Sequence, residues 1–248
     1  MIFNKDAFGN LMVLKRLLIF CIGVITYPMF HWFNKTKISG TENLKNLPQS
    51  NVLFVSNHQT YFMDVISMYY VFSSIKWGFV NSISNPVFLL NPRTRVYYIA
   101  AEETMKSGFM ARLLTYAGSV SIKRTWREAG KDVNKQVKMS DISNIGIALE
   151  NGWVVTFPQG TTTPFVKGRR GTSHIIKKFK PVVVPVVIDG FRRSFAKKKF
   201  MMKKKGSLLS IRFKPPMNIN YEDEADTILS QIMDAIEQSE KFQDAQKS

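Results

Sequence analysis

The residues with the clearest chemical use lie at the end of a short apolar run. Val52-Leu-Phe-Val55 is followed by Ser56-Asn57-His58, and a carboxylate, Asp64, comes a few residues later. A strand that delivers a histidine at its exit, with an acid close by, is a way to build a general base. The strand fixes the backbone, and the acid fixes the imidazole tautomer and stabilises the cation formed on proton uptake. The chain holds three histidines, His31, His58 and His174, so there are few candidates for a base. Taken alone, the pair has a plainer alternative: a hydrogen-bonded histidine at a strand end beside a surface acid.

Further segments add to it. Tyr116-Ala-Gly-Ser-Val-Ser-Ile-Lys-Arg124 is one, and Trp153-Val-Val-Thr-Phe-Pro-Gln-Gly-Thr-Thr-Thr163 is another, followed after a basic stretch by the apolar run Pro181 to Gly190. In order, Asn57-His58 with Asp64, Gly118 to Arg124, Phe157-Pro158-Gln159-Gly160-Thr161-Thr162 and Val184-Pro185-Val186 resemble the four blocks of the lysophospholipid acyltransferase family. That family is typified by 1-acylglycerol-3-phosphate acyltransferase. The resemblance spans about residues 35 to 215, and its weight comes from four motifs in the right order.

The chain departs from the family pattern at three points. The His58 to Asp64 spacing is one residue longer than usual, and neither spacing aligns the two on one helix face. The pair must therefore straddle a turn, with His58 in a loop and Asp64 inside a helix. Gln159 replaces the glutamate of the third block, keeping its shape and losing its charge. Thr162 replaces the arginine of that block, removing a planar fork suited to phosphate oxygens.

The resemblance implies acyl transfer from a thioester to a hydroxyl, with acyl-CoA or acyl-acyl-carrier-protein as co-substrate and no cofactor. His58 would take the hydroxyl proton and Asp64 would orient it. No protein nucleophile is evident, since there is no Gly-x-Ser-x-Gly elbow. Backbone N–H groups at Gly160 and Thr161 are candidates for holding the oxyanion. Arg124, with Lys123, would hold an anionic headgroup, Gln159 would line its site, and Arg169 and Arg170 would replace the missing arginine. The single cysteine and scattered histidines give no metal-ligand spacing.

The order of elements fits this chemistry. Strands are expected near residues 37–40, 51–55, 96–100, 119–122, 154–157, 182–188 and 210–213. Helices are expected over 64–72, 102–117, 141–150 and 225–242. Such alternation argues an α/β class: a mixed β-sheet flanked by helices, with an N-terminal membrane-associated helical segment. The division is 1–34 for that segment and 35–248 for the acyltransferase domain. Pro86 to Leu90 and Phe109 to Leu114 carry apolar residues that would line a lipid entrance or serve the core.

Composition bounds the partners. Lys plus Arg number 35 against 18 Asp plus Glu, a formal net charge of +17, which calls for an anionic partner. Phe191 to Pro216 holds basic residues and no acid, and its lysines sit beside Phe200-Met201-Met202, which favours an anionic membrane surface or an acidic carrier protein. A basic adaptor that catalyses nothing would also carry such charge, but no nucleic-acid-binding signature accompanies it, so no nucleic-acid partner is expected.

Leu17 to Phe30 is apolar, follows Lys15 and Arg16, and is short for a spanning helix, with Pro28 set to break it. It reads as a retained helix dipping into one leaflet, with Lys15 and Arg16 toward lipid phosphates, or as a single spanning helix if Leu11 to Phe33 inserts with its charges snorkelling. The expected place is the cytoplasmic membrane, with the catalytic domain on the cytosolic face, and the lone Cys21 fits a reducing compartment. The acceptor would be 1-acylglycerol-3-phosphate. Gln159 and Thr162 favour instead a lyso-amino-acid lipid such as lyso-ornithine or lyso-glycine lipid. The longer His58 to Asp64 spacing also leaves an inactive homologue as a reading.

Overall fold

The structure, a computed structural model, describes residues 4–105, 109–123, 127–128, 131–132 and 139–245. Its seven-stranded sheet has the order β1 (Lys35–Ser39), β9 (Leu208–Phe213), β8 (Val182–Asp189), β2 (Val52–Ser56), β7 (Trp153–Thr156), β3 (Val96–Ala101), β4 (Ser119–Ile122). From β8 to β4 the strands run parallel, β9 joins β8 antiparallel, and β1 pairs parallel with β9. A separate hairpin joins β5 (Arg127–Glu128) to β6 (Lys131–Asp132).

Every residue of β2 and β7 is buried, as parallel strands covered on both faces must be. Alternation along the strands splits them between two cores. Val52, Phe54, Trp153, Val155, Val184 and Val186 face one core, while Leu53, Val55, Val154 and Val183 face the other. Helices α1 (Met12–His31) and α2 (Met63–Lys76) cover the first face. Helices α5 (Met139–Asn151), α6 (Arg170–Phe179) and α8 (Ala225–Ala235) cover the second. Shorter helices are α3 (Glu102–Met105), α4 (Phe109–Tyr116), α7 (Phe191–Ser194) and α9 (Glu240–Ala245). From Met63 through Ser74 every residue of α2 is buried, so its sequence is apolar or hydrogen-bonded all round.

The helix expected over 102–117 is helical in its described parts, α3 and α4, with 106–108 outside the described residues. Three local expectations are corrected. The terminal helix stops at Ala235 and restarts at Glu240, because Glu237 takes a left-handed φ of 59° and turns Gln238 inward. The stretch after Thr163 that reads only as basic contains α6, whose Ile176 is fully buried in the second core. The apolar helix is longer than Leu17 to Phe30: α1 runs for 20 residues, and Pro28 is tolerated in its last turn.

One side of α1 (Ile19, Ile22, Thr26, Tyr27, Phe30) lies in the first core. Tyr70 Oη donates to Gly23 O at 2.7 Å, and Tyr27 Oη donates to Ser84 O at 2.7 Å. The other side exposes Val13, Leu14, Leu17, Val24 and Ile25, with Trp32 and Phe33 beyond its end. By length and composition α1 is apolar enough to cross a membrane.

Lys15 does not reach outward as expected. It is 0% exposed, and its Nζ lies 3.2 Å from Val96 O, 3.9 Å from Asp6 Oδ2 and 4.4 Å above the Tyr97 ring. Asp6 is fixed in turn by the main-chain N–H groups of Phe8 and Asn10. The N-terminal turn thus supplies a buried partner that captures the ammonium before lipid can.

Burial pulls the Lys15 ammonium from 10.5 down to about 8, against the opposing pull of Asp6. An unfolded lysine keeps its proton to about pH 10.4, so between these values the unfolded chain binds more protons and stability rises with pH. Tyr69, Tyr70 and Tyr98, whose phenols burial raises, act in the opposite sense only above about pH 10. Thermal melts from pH 8 to 9.5 should show the native chain gaining about 1–2 kcal/mol relative to Lys15→Met. Parallel pH curves for the two proteins would show that Lys15 does not change charge in that range.

Candidate active site

The carboxyl ends of β2, β7, β3 and β4 open onto one cavity of about 460 Å³. This is the end of an open parallel sheet where loops converge and ligands are bound. His58 follows β2 by two residues, and Phe157 follows the paired strand β7 by one. The register therefore brings the two rings together, stacked with centroids 3.9 Å apart. Tyr61 lies on a near-parallel plane at 6.2 Å.

Asp64 occupies the first turn of α2, where a helix N-terminus favours negative charge. It is fully buried, and four donors meet it. Oδ2 lies 2.8 Å from His58 Nδ1 and accepts from Gln59 N at 2.6 Å and Thr60 N at 3.0 Å, while Oδ1 accepts from Thr60 Oγ1 at 2.7 Å. With backbone N–H groups already on Oδ2, the bond to His58 places the ring proton on Nδ1 and leaves Nε2 as an acceptor. Among the described residues Nε2 has no partner, and His58 lines the cavity with 14% of its side chain exposed. The extra residue between His58 and Asp64 is taken up in the turn 59–62, so the pair straddles loop and helix.

Asn57 fixes the same turn from its other side. Its Nδ2 donates to Ile188 O at 2.8 Å, and its Oδ1 accepts from Ile188 N at 2.8 Å, so a side chain continues the β2 to β8 ladder one step past Ser56. Gln59 reaches the same strand end and accepts from Arg192 N at 3.0 Å. Neither role is visible in sequence, because each needs the parallel neighbour in place.

After β7, Pro158 and Gln159 form the corner of a turn closed by Gly160 N donating to Phe157 O at 2.9 Å. Proline at the second position and glycine at the fourth suit such a turn. That N–H is therefore spent internally. The N–H of Thr161 has no acceptor among the described residues, and Thr161 lines the cavity with Gly160.

Gln159 does not line the cavity. It is 2% exposed, and its Nε2 donates to Val166 O at 3.0 Å and to Gln238 Oε1 at 3.2 Å. Gln238 Oε1 also accepts from Phe165 N at 3.0 Å, so the two glutamines anchor the loop 159–166 from below. The sequence signal was present in part: the apolar spacing Ile228, Ile232, Ile236 ends just before Gln238.

The remaining candidates separate. Arg169 lines the cavity, but Arg170 turns away to pair with Asp226 on the surface. Lys123 is exposed, with Nζ 4.0 Å from Glu102, and does not line the cavity. Arg124 lies outside the described residues. Gly118 of the second block has φ +114°, and a Cβ there would sit 2.7 Å from Lys15 Nζ, so this glycine makes room for the buried amine. Of the expected lipid entrance, Phe88 and Leu89 are core, Leu90 is exposed, and the side chains of residues 109–112 lie outside the described ones. Among the described residues the apolar lining comes from Val65, Ile99, Met105, Ile122 and Ile175. Among the described residues no three His, Cys, Asp or Glu side chains come together as metal ligands.

Residues 35–189 match the family model described as Acyltransferase. Among solved structures, the chain is similar to the 1-acyl-sn-glycerophosphate (LPA) acyltransferase PlsC from Thermotoga maritima, with a TM-score of 0.55 and 18% identity over 89% of this chain and 76% of that one. No curated protein matches.

If Gln159 is an anchor made for an amide, the glutamate of the resembled family's third block should be harmful here. Gln159→Glu would set a carboxylate against the carbonyl oxygens of Val166 and Gln238. A loss of about 2 kcal/mol at pH 7 is expected, recovered in part below pH 5 where the new acid can donate. Denaturant titration checks it; an unchanged midpoint at pH 7 would show that Gln159 anchors nothing.

Proposed function

We propose that this chain, which belongs to the acyltransferase family, moves a fatty acyl group from a thioester to the free hydroxyl of a lysolipid at a membrane surface. Family membership makes it an acyltransferase rather than the basic adaptor its charge alone allowed. The observation that carries the reading is His58 Nε2, set free by the bond from Nδ1 to Asp64, at an apolar cavity.

In the proposed step, the acceptor hydroxyl attacks the thioester carbonyl as Nε2 takes its proton. The new C–O bond gives a tetrahedral oxyanion, for which the N–H of Thr161 is the candidate donor. As the C–S bond breaks, the proton passes from Nε2 to the departing thiolate. The donor is acyl-CoA or acyl-carrier protein, a co-substrate rather than a cofactor. The acceptor favoured is 1-acylglycerol-3-phosphate. A lyso-amino-acid lipid loses one of its two supports, since Gln159 faces the interior.

With labelled acyl donors and parallel lysolipid acceptors, His58→Ala should abolish turnover. Asp64→Asn should lower kcat by about 10²- to 10⁴-fold, because the amide oxygen can keep the N–H donors on Oδ2 but the charge that stabilises the imidazolium is gone. Turnover that survives His58→Ala would overturn the assignment. Inactivity of the native chain on every acceptor would leave the inactive-homologue reading standing.

The exposed apolar side of α1 supports shallow insertion, since such a stripe on a helix otherwise welded to the domain calls for a nonaqueous neighbour. Lys205 lies 4.5 Å from the Phe33 ring near the end of that helix, where lipid phosphates would meet it. Leu17 and Ile25 are 55% and 67% exposed, so Leu17→Glu with Ile25→Glu should spare the fold. The pair should cut co-sedimentation with anionic vesicles by about tenfold or more. Undiminished sedimentation would place the membrane contact elsewhere.

A further inference from the structure

We infer that a phosphoryl-binding site lies beside the reaction cavity, built by Arg192, Lys197 and Lys203. What the bound group does there rests on the acyl-transfer reading; that the site binds such a group does not.

A second cavity, of about 260 Å³, lies between Gln59, Thr162, Thr163, Arg192, Lys197 and Lys203. Three cations line it and no carboxylate does. Arg192 donates a guanidinium N–H to Thr162 O, and Lys203 Nζ donates to Arg192 O at 2.6 Å. Carbonyl partners fix these side chains without neutralising them. Among the described residues none of the three has a carboxylate at ion-pair distance, whereas Arg170, Arg193 and Arg212 each have one. Asp189, which accepts from Gln59 Nε2, is paired with Arg193 and does not line the cavity. Lys197 is tied at its main chain, where its carbonyl accepts from Tyr61 N at 2.9 Å.

Convergent positive charge with donors to spare favours an anion. One guanidinium fork and two ammonium groups suit the several oxygens of a phosphoryl group. The position also has meaning for the reaction. Lys197 and Thr163 line both cavities, so the two sites adjoin. Thr162 stands where the third block of the resembled family carries arginine, and Arg192 reaches that same peptide from α7. A charge missing from the loop in sequence is restored through space by another element.

One chemistry has two sources here: the phosphomonoester of an acceptor headgroup, or the diphosphate of a CoA donor. Calorimetry on the full chain in detergent, with glycerol 3-phosphate and free CoA as probes, separates them. Saturable binding of at least one probe is expected, weakened about 10- to 100-fold in Arg192→Gln and in Lys203→Gln. Lys37→Gln, on the far edge of the sheet, should bind as the native chain does. Arg192→Lys should recover part of the affinity. If Arg192→Gln fails to fold, the exposed Lys197→Gln and Lys203→Gln carry the test. Glycerol 3-phosphate binding assigns the acceptor headgroup, with KM for a phosphate-bearing acceptor rising in the variants. Binding of CoA alone assigns the donor. Binding of neither, or binding unmoved by all three glutamine variants, overturns the site. Variant-sensitive binding without turnover on any acceptor would keep this site and sink the acyl-transfer reading; turnover with binding and KM unmoved would do the reverse.

Discussion

The buried carboxylate of Asp64 is the point on which the rest of the site depends. One side chain in the first turn of α2 takes the N–H groups of Gln59 and Thr60, the Thr60 hydroxyl and the ring of His58. The donors close the turn between strand and helix, and the same turn aims the histidine. Removing the carboxylate would leave several buried donors without a partner, which is costly in a dry interior. Turn geometry and the proposed base are therefore one interaction, and the turn absorbs an extra residue because its ends are pinned by the same acid.

Around that hub the chain fixes loops by single polar contacts, two through side chains and one through the main chain, rather than by long strands. Asn57 extends the ladder to β8, Gln159 and Gln238 hold the loop after β7, and the Lys197 carbonyl ties the lysine-rich segment to Tyr61. Each contact joins segments far apart in sequence at the carboxyl end of the sheet. The apolar layers below supply the rigid base: Phe54, Trp153 and Phe72 pack with ring centroids 4.6 to 5.3 Å apart under the strand that carries His58.

The excess positive charge is not spread evenly in its use. Arg170, Arg193 and Arg212 are paired on the surface, and Lys15 is consumed inside the fold by Val96 and Asp6. Those left without a carboxylate partner include the three around the second cavity, next to the proposed base. Charge in the sequence thus called for an anion, and pairing in the fold narrows where it is wanted.

Much of the fold was legible from the chain alone. Short apolar or β-branched runs located all seven strands of the main sheet, and the central β2 and β7, buried on both faces, leave a continuous apolar signature. The strand exit at His58 and the acid beyond it were likewise visible, because they are local. The sequence also indicated a turn between them, as no helix aligns that spacing. Tertiary structure alone decided the rest. Gln159 reads as a site residue until Gln238, nearly eighty positions on, takes its amide; Arg170 reads as a phosphate ligand until Asp226 claims it; Lys15 reads as a lipid contact until Asp6 folds over it. Arg192 reads only as one of a basic stretch, since it reaches Thr162 only after β8 is laid beside β2. In each case a long polar side chain has several possible partners of similar strength, and only the packed backbone determines which one lies within hydrogen-bonding distance.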